Sequence, residues 1–237
     1  MYNQLSNILF LDIETVSQYE SHEKLPERFK PLFEKKVSYF SEKEGYTQAE
    51  AYSKRAAIFA EFGKVITIGL GFFSKEGNDW FFRVKCLMGH DEKELLLELQ
   101  MILSKFNEEN LLLCAHNGKE FDFPYLCRRY LVNGLPIPYS LDMSGKKPWE
   151  VQHIDTMHLW RFGDYKHYTS LETLAAIFDV PTSKSDIDGS MVGEVYYKEK
   201  ALDRIADYCK QDVVVTAQVY LKMKALPILE EHQVIMI

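Results

Sequence analysis

The sequence has no apolar run near the ~20 residues that a bilayer-spanning helix needs. Its first residues, Met1-Tyr2-Asn3-Gln4-Leu5-Ser6-Asn7, lack the basic start and apolar stretch of a signal peptide, so no membrane association and a cytoplasmic location are expected. There is no CxxC pair: Cys86, Cys114, Cys127 and Cys209 are widely spaced. That argues against a disulfide frame or a zinc site and predicts reduced thiols in or near the core. The seven histidines form no pair at metal-ligand spacing, and His116 and His167 read as structural or rim residues. No repeat, low-complexity tract or linker divides the chain. An excess of basic residues is also missing: 28 Lys and Arg face 35 Asp and Glu, for a net charge of −7. This argues against a general nucleic-acid coating protein, although net charge says little about a local groove.

What is present is core material. The 237 residues are 46% apolar and 14% aromatic, which suits one large domain over 1–237. Asn7 to Ile13 reads as a buried strand through Ile8, Leu9, Phe10 and Leu11. Ser17 to Phe62 is rich in Glu, Lys and aromatics, and reads as a mostly helical insertion at about 17–62, over the sheet or beside a site. Val65 to Phe73 and Trp80 to Leu87 flank the turn Glu76-Gly77-Asn78-Asp79 and predict a hairpin. Asp91 caps a helix to about Phe106, Leu111 to Ala115 is a short strand, and Phe123 to Val132 is a helix ended by Asn133-Gly134. Val151 to Ile154 predicts a short strand, and Thr169 or Ser170 caps a helix to Phe178. Pro181 to Gly189 is a polar loop, Ala201 to Ala225 a long helix, and the apolar tail Gln233 to Ile237 a cover for the domain. The order predicts an α/β fold: a mixed sheet of about five strands, one antiparallel, with helices on both faces.

Four carboxylates stand at the ends of these core elements. Asp12 and Glu14 lie in Leu11-Asp12-Ile13-Glu14-Thr15, directly after the apolar strand, and two residues apart in a strand share a face. Asp122 closes His116-Asn117-Gly118-Lys119-Glu120-Phe121-Asp122, and Asp212 closes Tyr208-Cys209-Lys210-Gln211-Asp212. Tyr208 and Asp212 are four apart on a helix and also share a face. Each has a local structural reading: a strand end in solvent, an N-cap for Asp122, a solvated helix face for Asp212. Together they are acids beside apolar segments, costly unless positive charge compensates them. Hard oxygen ligands suit Mg²⁺ or Mn²⁺, and paired divalent ions serve phosphodiester cleavage.

The order Asp-x-Glu, Asn-x-x-x-Phe-Asp, Tyr-x-x-x-Asp, in strand, strand-to-helix and helix contexts, resembles the DEDD superfamily of 3′–5′ exonucleases. More closely, it is similar to the proofreading exonuclease domain of family B DNA polymerases and its stand-alone relatives, over roughly Ile8 to Met223. Position 207 is Asp and position 208 is Tyr, which matches the tyrosine branch. The resemblance implies a ribonuclease H-like fold and a free-standing exonuclease, because the remaining residues are too few for a polymerase domain. It implies catalytic roles for Asp12, Glu14, Asp122, Tyr208 and Asp212. Two divalent cations, Mg²⁺ or Mn²⁺, would be held by Asp12, Glu14, Asp212 and Asp122, with Tyr208 orienting the attacking water. The implied partner is nucleic acid, single-stranded DNA 3′ ends, and the implied products are nucleoside 5′-monophosphates. A 3′–5′ exoribonuclease and a non-catalytic nucleic-acid-binding module on the same fold are the alternatives.

Asn117 corresponds to a substrate-contacting position in that family, Phe121 is a core or base-stacking aromatic, and Ile13 and Thr15 are candidates to line the terminal-nucleotide pocket. Asp155, after a short strand, reads equally as a helix cap and as a support of the site. Lys119, Arg128, Arg129, Lys146, Lys147 and Lys184 are candidate phosphate contacts, each with a solvated surface charge as the simpler reading.

Overall fold

Strand β1 (Ile8–Ser17) is the axis of the molecule, and it is buried along almost its whole length. Its alternate side chains feed different cores. Leu9, Leu11 and Ile13 join one large apolar cluster, while Ile8 and Phe10 join another on the opposite side of the sheet. The computed structural model describes residues 2–77, 79–107, 109–164, 166–182 and 186–237.

After β1 come helices α1 (Lys30–Glu44) and α2 (Gln48–Arg55), the latter started by a Thr47–Glu50 capping box. They form the helical insertion, with its own small core of Leu25, Phe33, Val37, Ala51, Tyr52, Ala56 and Phe62. Carbonyls of the insertion are gripped by the main domain. Thr15 Oγ1 and the Tyr125 hydroxyl both donate to Ala57 O at 2.9 Å, and Arg129 Nη1 donates to Ala60 O at 2.8 Å. The hairpin follows as β2 (Gly63–Glu76) and β3 (Asp79–Met88), longer at both ends than its apolar stretches imply. Asn78 of the expected turn lies outside the described residues. Helix α3 (Glu92–Leu103) starts at the Asp91 cap, where Oδ1 accepts from Lys93 N and Glu94 N.

Strand β4 (Leu112–Ala115), helix α4 (Asp122–Val132) and strand β5 (Ile154–Asp155) follow. The expected strand over Val151 to Ile154 shortens to this pair for a local reason. Burial pulls the His153 pKa down to about 4, so the ring is neutral, and its Nδ1 accepts Leu113 N–H at 3.2 Å, a donor that a longer strand would have used. Helices α5 (Thr156–Arg161), α6 (Leu171–Ile177) and α7 (Val192–Glu194) come next, α7 running on into a π-helical turn at Val195–Glu199. Ser170, not Thr169, caps α6. The long helix α8 (Leu202–Met223) and strand β6 (Val234–Met236) complete the chain.

The sheet has six strands in the order β5-β4-β1-β2-β3-β6. Only β2 runs against its neighbours; β1 is parallel to β4, β4 to β5 and β3 to β6. This is the mixed α/β sheet expected, with one strand more. The apolar tail does not lie over the domain as a cover; it pairs with the β3 edge and satisfies backbone groups there that would otherwise face solvent. Helices α3 and α4 cover one face and α8 the other. No helix among the described residues is long and apolar enough to cross a membrane. The four cysteines are free; Cys114 and Cys209 are buried, Cys86 and Cys127 partly so.

Candidate active site

On β1 the face that carries Ile8 and Phe10 continues as Asp12 and Glu14, so the pleat turns both carboxylates toward α8. Helix α8 comes unusually close to the sheet there. Gly69 of β2 pairs with Asp12, and a Cβ on it would meet Val213 Cγ2 at 2.8 Å and Cys209 Sγ at 2.9 Å. The missing side chain lets the helix settle on the strand and delivers Asp212 to the two β1 acids. One carboxylate oxygen each from Asp12, Glu14 and Asp212 lies within 4.8 Å of the others.

Asp122 is placed differently. It is the first residue of α4, not its cap, and its Oδ1 accepts Ile13 N–H at 3.1 Å. It therefore reaches from α4 across to β1, at the residue that separates Asp12 from Glu14. The loop before it is shaped by Asn117, whose φ of 62° lies in the left-handed region that Asn tolerates. The Asn117 Oδ1 is buried with no hydrogen-bond partner among the described residues.

Asp12, Ile13, Glu14, Asn117, Phe121, Asp122, Tyr208 and Asp212 all line one open cleft of about 830 Å³. Ile13 lines it with its backbone N–H already engaged by Asp122. Thr15 is absent from the lining, because its hydroxyl turns to Ala57 in the insertion. Among the described residues, none of the insertion lines the cleft. A separate hollow of about 610 Å³ between the insertion and α4 includes Tyr19, Phe29, Lys64, His90 and Arg129, and none of the four motif carboxylates.

Burial and mutual repulsion dominate the electrostatics. Burial first, then Glu14, Asp122 and Asp212, push the Asp12 carboxyl well above the usual range. Burial and then Asp212 do the same to Glu14. Burial raises Asp122 to about 7 and Asp212 to about 6, the latter opposed by a hydrogen bond from Tyr208. The Tyr208 phenol is itself pushed up by burial and then by Asp212, which keeps it protonated. Asp12 Oδ2 is buried without a partner among the described residues. A cluster of acids with an orphaned buried oxygen, raised by one another and by burial, fits a divalent ion.

Asp155 answers both of its readings. It caps α5 through Met157 N and His158 N at 2.9 and 3.2 Å, and it also accepts Asn117 N at 3.1 Å and Lys119 N at 3.0 Å. It thus fixes the loop that leads to Asp122. Of the basic candidates, Arg129 is neither solvated nor free for a phosphate: it is buried in an ion pair with Glu92, Nε to Oε1 at 2.8 Å. Lys119 Nζ donates to Val151 O, Arg128, Lys146 and Lys147 are exposed, and Lys184 lies outside the described residues. His116 is a strut in the cleft wall, with Nε2 donating to Thr169 O and Nδ1 accepting from Thr156 Oγ1, both at 2.9 Å.

Several cleft residues carried no sequence signal. Tyr168 and Gln211 line it, as do Ile187 from the polar loop and Met191 just after it. Ser170 and Leu171 were visible only as a helix start.

Comparisons with known proteins agree with one another. DNA polymerase 1 of Pyrococcus abyssi is 26% identical over 135 residues, which cover 53% of this chain and 17% of the polymerase. The DNA polymerase of Pyrococcus glycovorans is 26% identical over 137 residues, with the same coverage of 53% and 17%. The chain thus corresponds to a small part of these relatives. The structure of the family B DNA polymerase of Pyrobaculum calidifontis superposes with a TM-score of 0.59 over 91% of this chain and 24% of that one, at 15% identity, a likeness of fold. Residues 58–231, which hold Asp122, Tyr208 and Asp212, match a family described as a predicted 3′–5′ exonuclease related to the exonuclease domain of PolB. With most of its length inside that match, the chain belongs to this family of predicted PolB-like 3′–5′ exonucleases.

Proposed function

We propose that this chain is a metal-dependent 3′–5′ exonuclease that removes nucleoside 5′-monophosphates one at a time from the 3′ end of single-stranded DNA. The observation that carries the reading is the meeting of Asp12, Glu14 and Asp212 within 4.8 Å, in a cleft that also holds Asp122 and Tyr208. Membership of the PolB-related family and the matches to archaeal DNA polymerases favour DNA over RNA.

Asp12, Glu14 and Asp212 would hold one Mg²⁺ or Mn²⁺, and Asp12 with Asp122 a second. When bound, such a pair would supply charge stabilisation to the attacking and leaving oxygens of an in-line displacement at phosphorus. The remaining work falls to the chain itself. Tyr208, protonated and hydrogen-bonded to Asp212, orients the attacking water and does not take its proton. The water oxygen forms the new bond to phosphorus and gives up a proton to solvent, the bond to the 3′-oxygen of the preceding nucleotide breaks, and that oxygen takes a proton from solvent. Asn117 Oδ1, without a partner among the described residues, is available to accept the terminal sugar hydroxyl. Phe121, half-buried on the cleft wall, offers a face to the terminal base.

The test is Asp12→Ala and Asp212→Ala in folded protein. Both are expected to abolish Mg²⁺- or Mn²⁺-dependent release of mononucleotides. Full activity in either variant, or in wild-type protein with excess EDTA, would sink the proposal.

A further inference from the structure

Thr67 lies in the middle of β2 and is fully buried, yet its hydroxyl has no hydrogen-bond partner among the described residues. Leaving a buried hydroxyl unpaired is destabilising, because it has lost its bonds to water and gained none in return. A valine would fill the same shape at none of that cost, so the hydroxyl calls for an explanation.

The strand register supplies one. Thr67 is the cross-strand partner of Glu14 in the antiparallel β1–β2 pair. Residues paired in this way point to the same face, with Cβ atoms about 4.5–5.5 Å apart. That face is the one α8 covers, because Gly69, two residues on, pairs with Asp12 and abuts Cys209 and Val213. On its other side Thr67 pairs with Met88, which offers a thioether and no strong acceptor. Of its two cross-strand partners, Glu14 is the one whose chemistry matches a lone hydroxyl donor.

The backbone points the same way. The register slips between Glu14 and Thr15, leaving Ile66 as an extra residue of β2 opposite β1. Bulges bend a strand locally and re-aim the side chains beside them. Here the bulge falls directly beside the Glu14–Thr67 pair.

We propose that Thr67 is a positioning residue for the metal site: with a cation bound, its hydroxyl donates to the Glu14 carboxylate oxygen turned away from the ion. A ligating carboxylate uses only part of its four lone-pair positions, and an outer donor fixes its orientation. The inference rests on the reading of Asp12, Glu14 and Asp212 as a metal site.

Mn²⁺ titration calorimetry, with no substrate present, tests it on wild type, Thr67→Val, Thr67→Ala and Thr67→Ser. Loss of the hydroxyl in Thr67→Val and Thr67→Ala is expected to weaken Mn²⁺ binding about 10-fold, at the low end of such outer-partner effects. Thr67→Ser is expected to hold affinity close to wild type. In EDTA, Thr67→Val is expected to melt higher than wild type, because the unpaired hydroxyl is gone. Unchanged Mn²⁺ affinity in Thr67→Val, or equal loss in Thr67→Ser, overturns the role of Thr67 alone. No Mn²⁺ uptake by the wild type overturns the metal site and this role with it.

Discussion

Replacing Asp122 by Asn removes an ionisable group from the cleft and keeps one hydrogen bond, since the amide oxygen still accepts Ile13 N–H as Oδ1 does now at 3.1 Å. The native carboxyl is held at about 7 against an ordinary 3.8, chiefly by burial. At 1.36 kcal/mol per unit, that difference is on the order of 4 kcal/mol between the two protonation states. The sign follows from linkage. A carboxyl raised in the native state contributes its full stability below the unfolded value, and that contribution is lost as pH rises through about 7. The amide in the Asp122→Asn variant does not ionise and loses nothing over that window. Urea unfolding in EDTA, at pH 5 and pH 8, reads the difference directly. Asp122→Asn is expected to exceed wild type by about 4 kcal/mol at pH 8 and by under about 2 kcal/mol at pH 5. A gap that is constant between the two, or one that widens toward acid, would refute the assignment of Asp122 as a buried acid in a metal-free cluster. EDTA matters, because a bound cation favours the ionised form and reverses the trend.

Mn²⁺ in excess is expected to raise the melting temperature: at 100 times its dissociation constant the stabilisation is about 2.7 kcal/mol, and no shift in scanning fluorimetry would count against a preformed site. Tyr208→Phe removes the hydroxyl that meets Asp212. It is expected to lower kcat about 10²-fold with KM little changed, the scale of a misplaced reactant, and steady-state kinetics that move KM alone would contradict a water-orienting role. Gly69→Ala puts a methyl 2.8 Å from Val213 Cγ2 and 2.9 Å from Cys209 Sγ. Overpacking of this kind costs about 1–3 kcal/mol, and because it lifts α8 it should cut activity more than denaturation midpoints alone would suggest.

Much of the site was legible because its geometry is local. A period of two put Asp12 and Glu14 on one face, and a spacing of four put Tyr208 and Asp212 on another, and all four line the same cleft. The apolar runs located β1, the hairpin and α8 to within a few residues. What sequence patterns did not carry was the destination of single side chains over long chain separations. Thr15 looked like a pocket residue beside Glu14, but its hydroxyl meets Ala57, 42 positions away. Arg129 looked like a surface charge, but Glu92 draws it into the interior. His153 shortens β5 by taking a backbone donor from β4. The apolar tail is a strand because the β3 edge needs partners, a demand that arises only once the sheet exists. Gly69 read as an ordinary strand residue, and its value lies in the helix that rests on it.

The most direct test of the whole account is digestion of matched single-stranded DNA and RNA oligonucleotides, labelled at the 5′ or the 3′ end, with Mg²⁺ or Mn²⁺. A progressive ladder from 5′-labelled DNA, immediate release of label as a nucleoside 5′-monophosphate from 3′-labelled DNA, and slower attack on RNA are the predicted results. Release of mononucleotides from the 5′ end, or no metal-dependent cleavage of either polymer by protein whose Asp12, Glu14, Asp122 and Asp212 are intact, would contradict it.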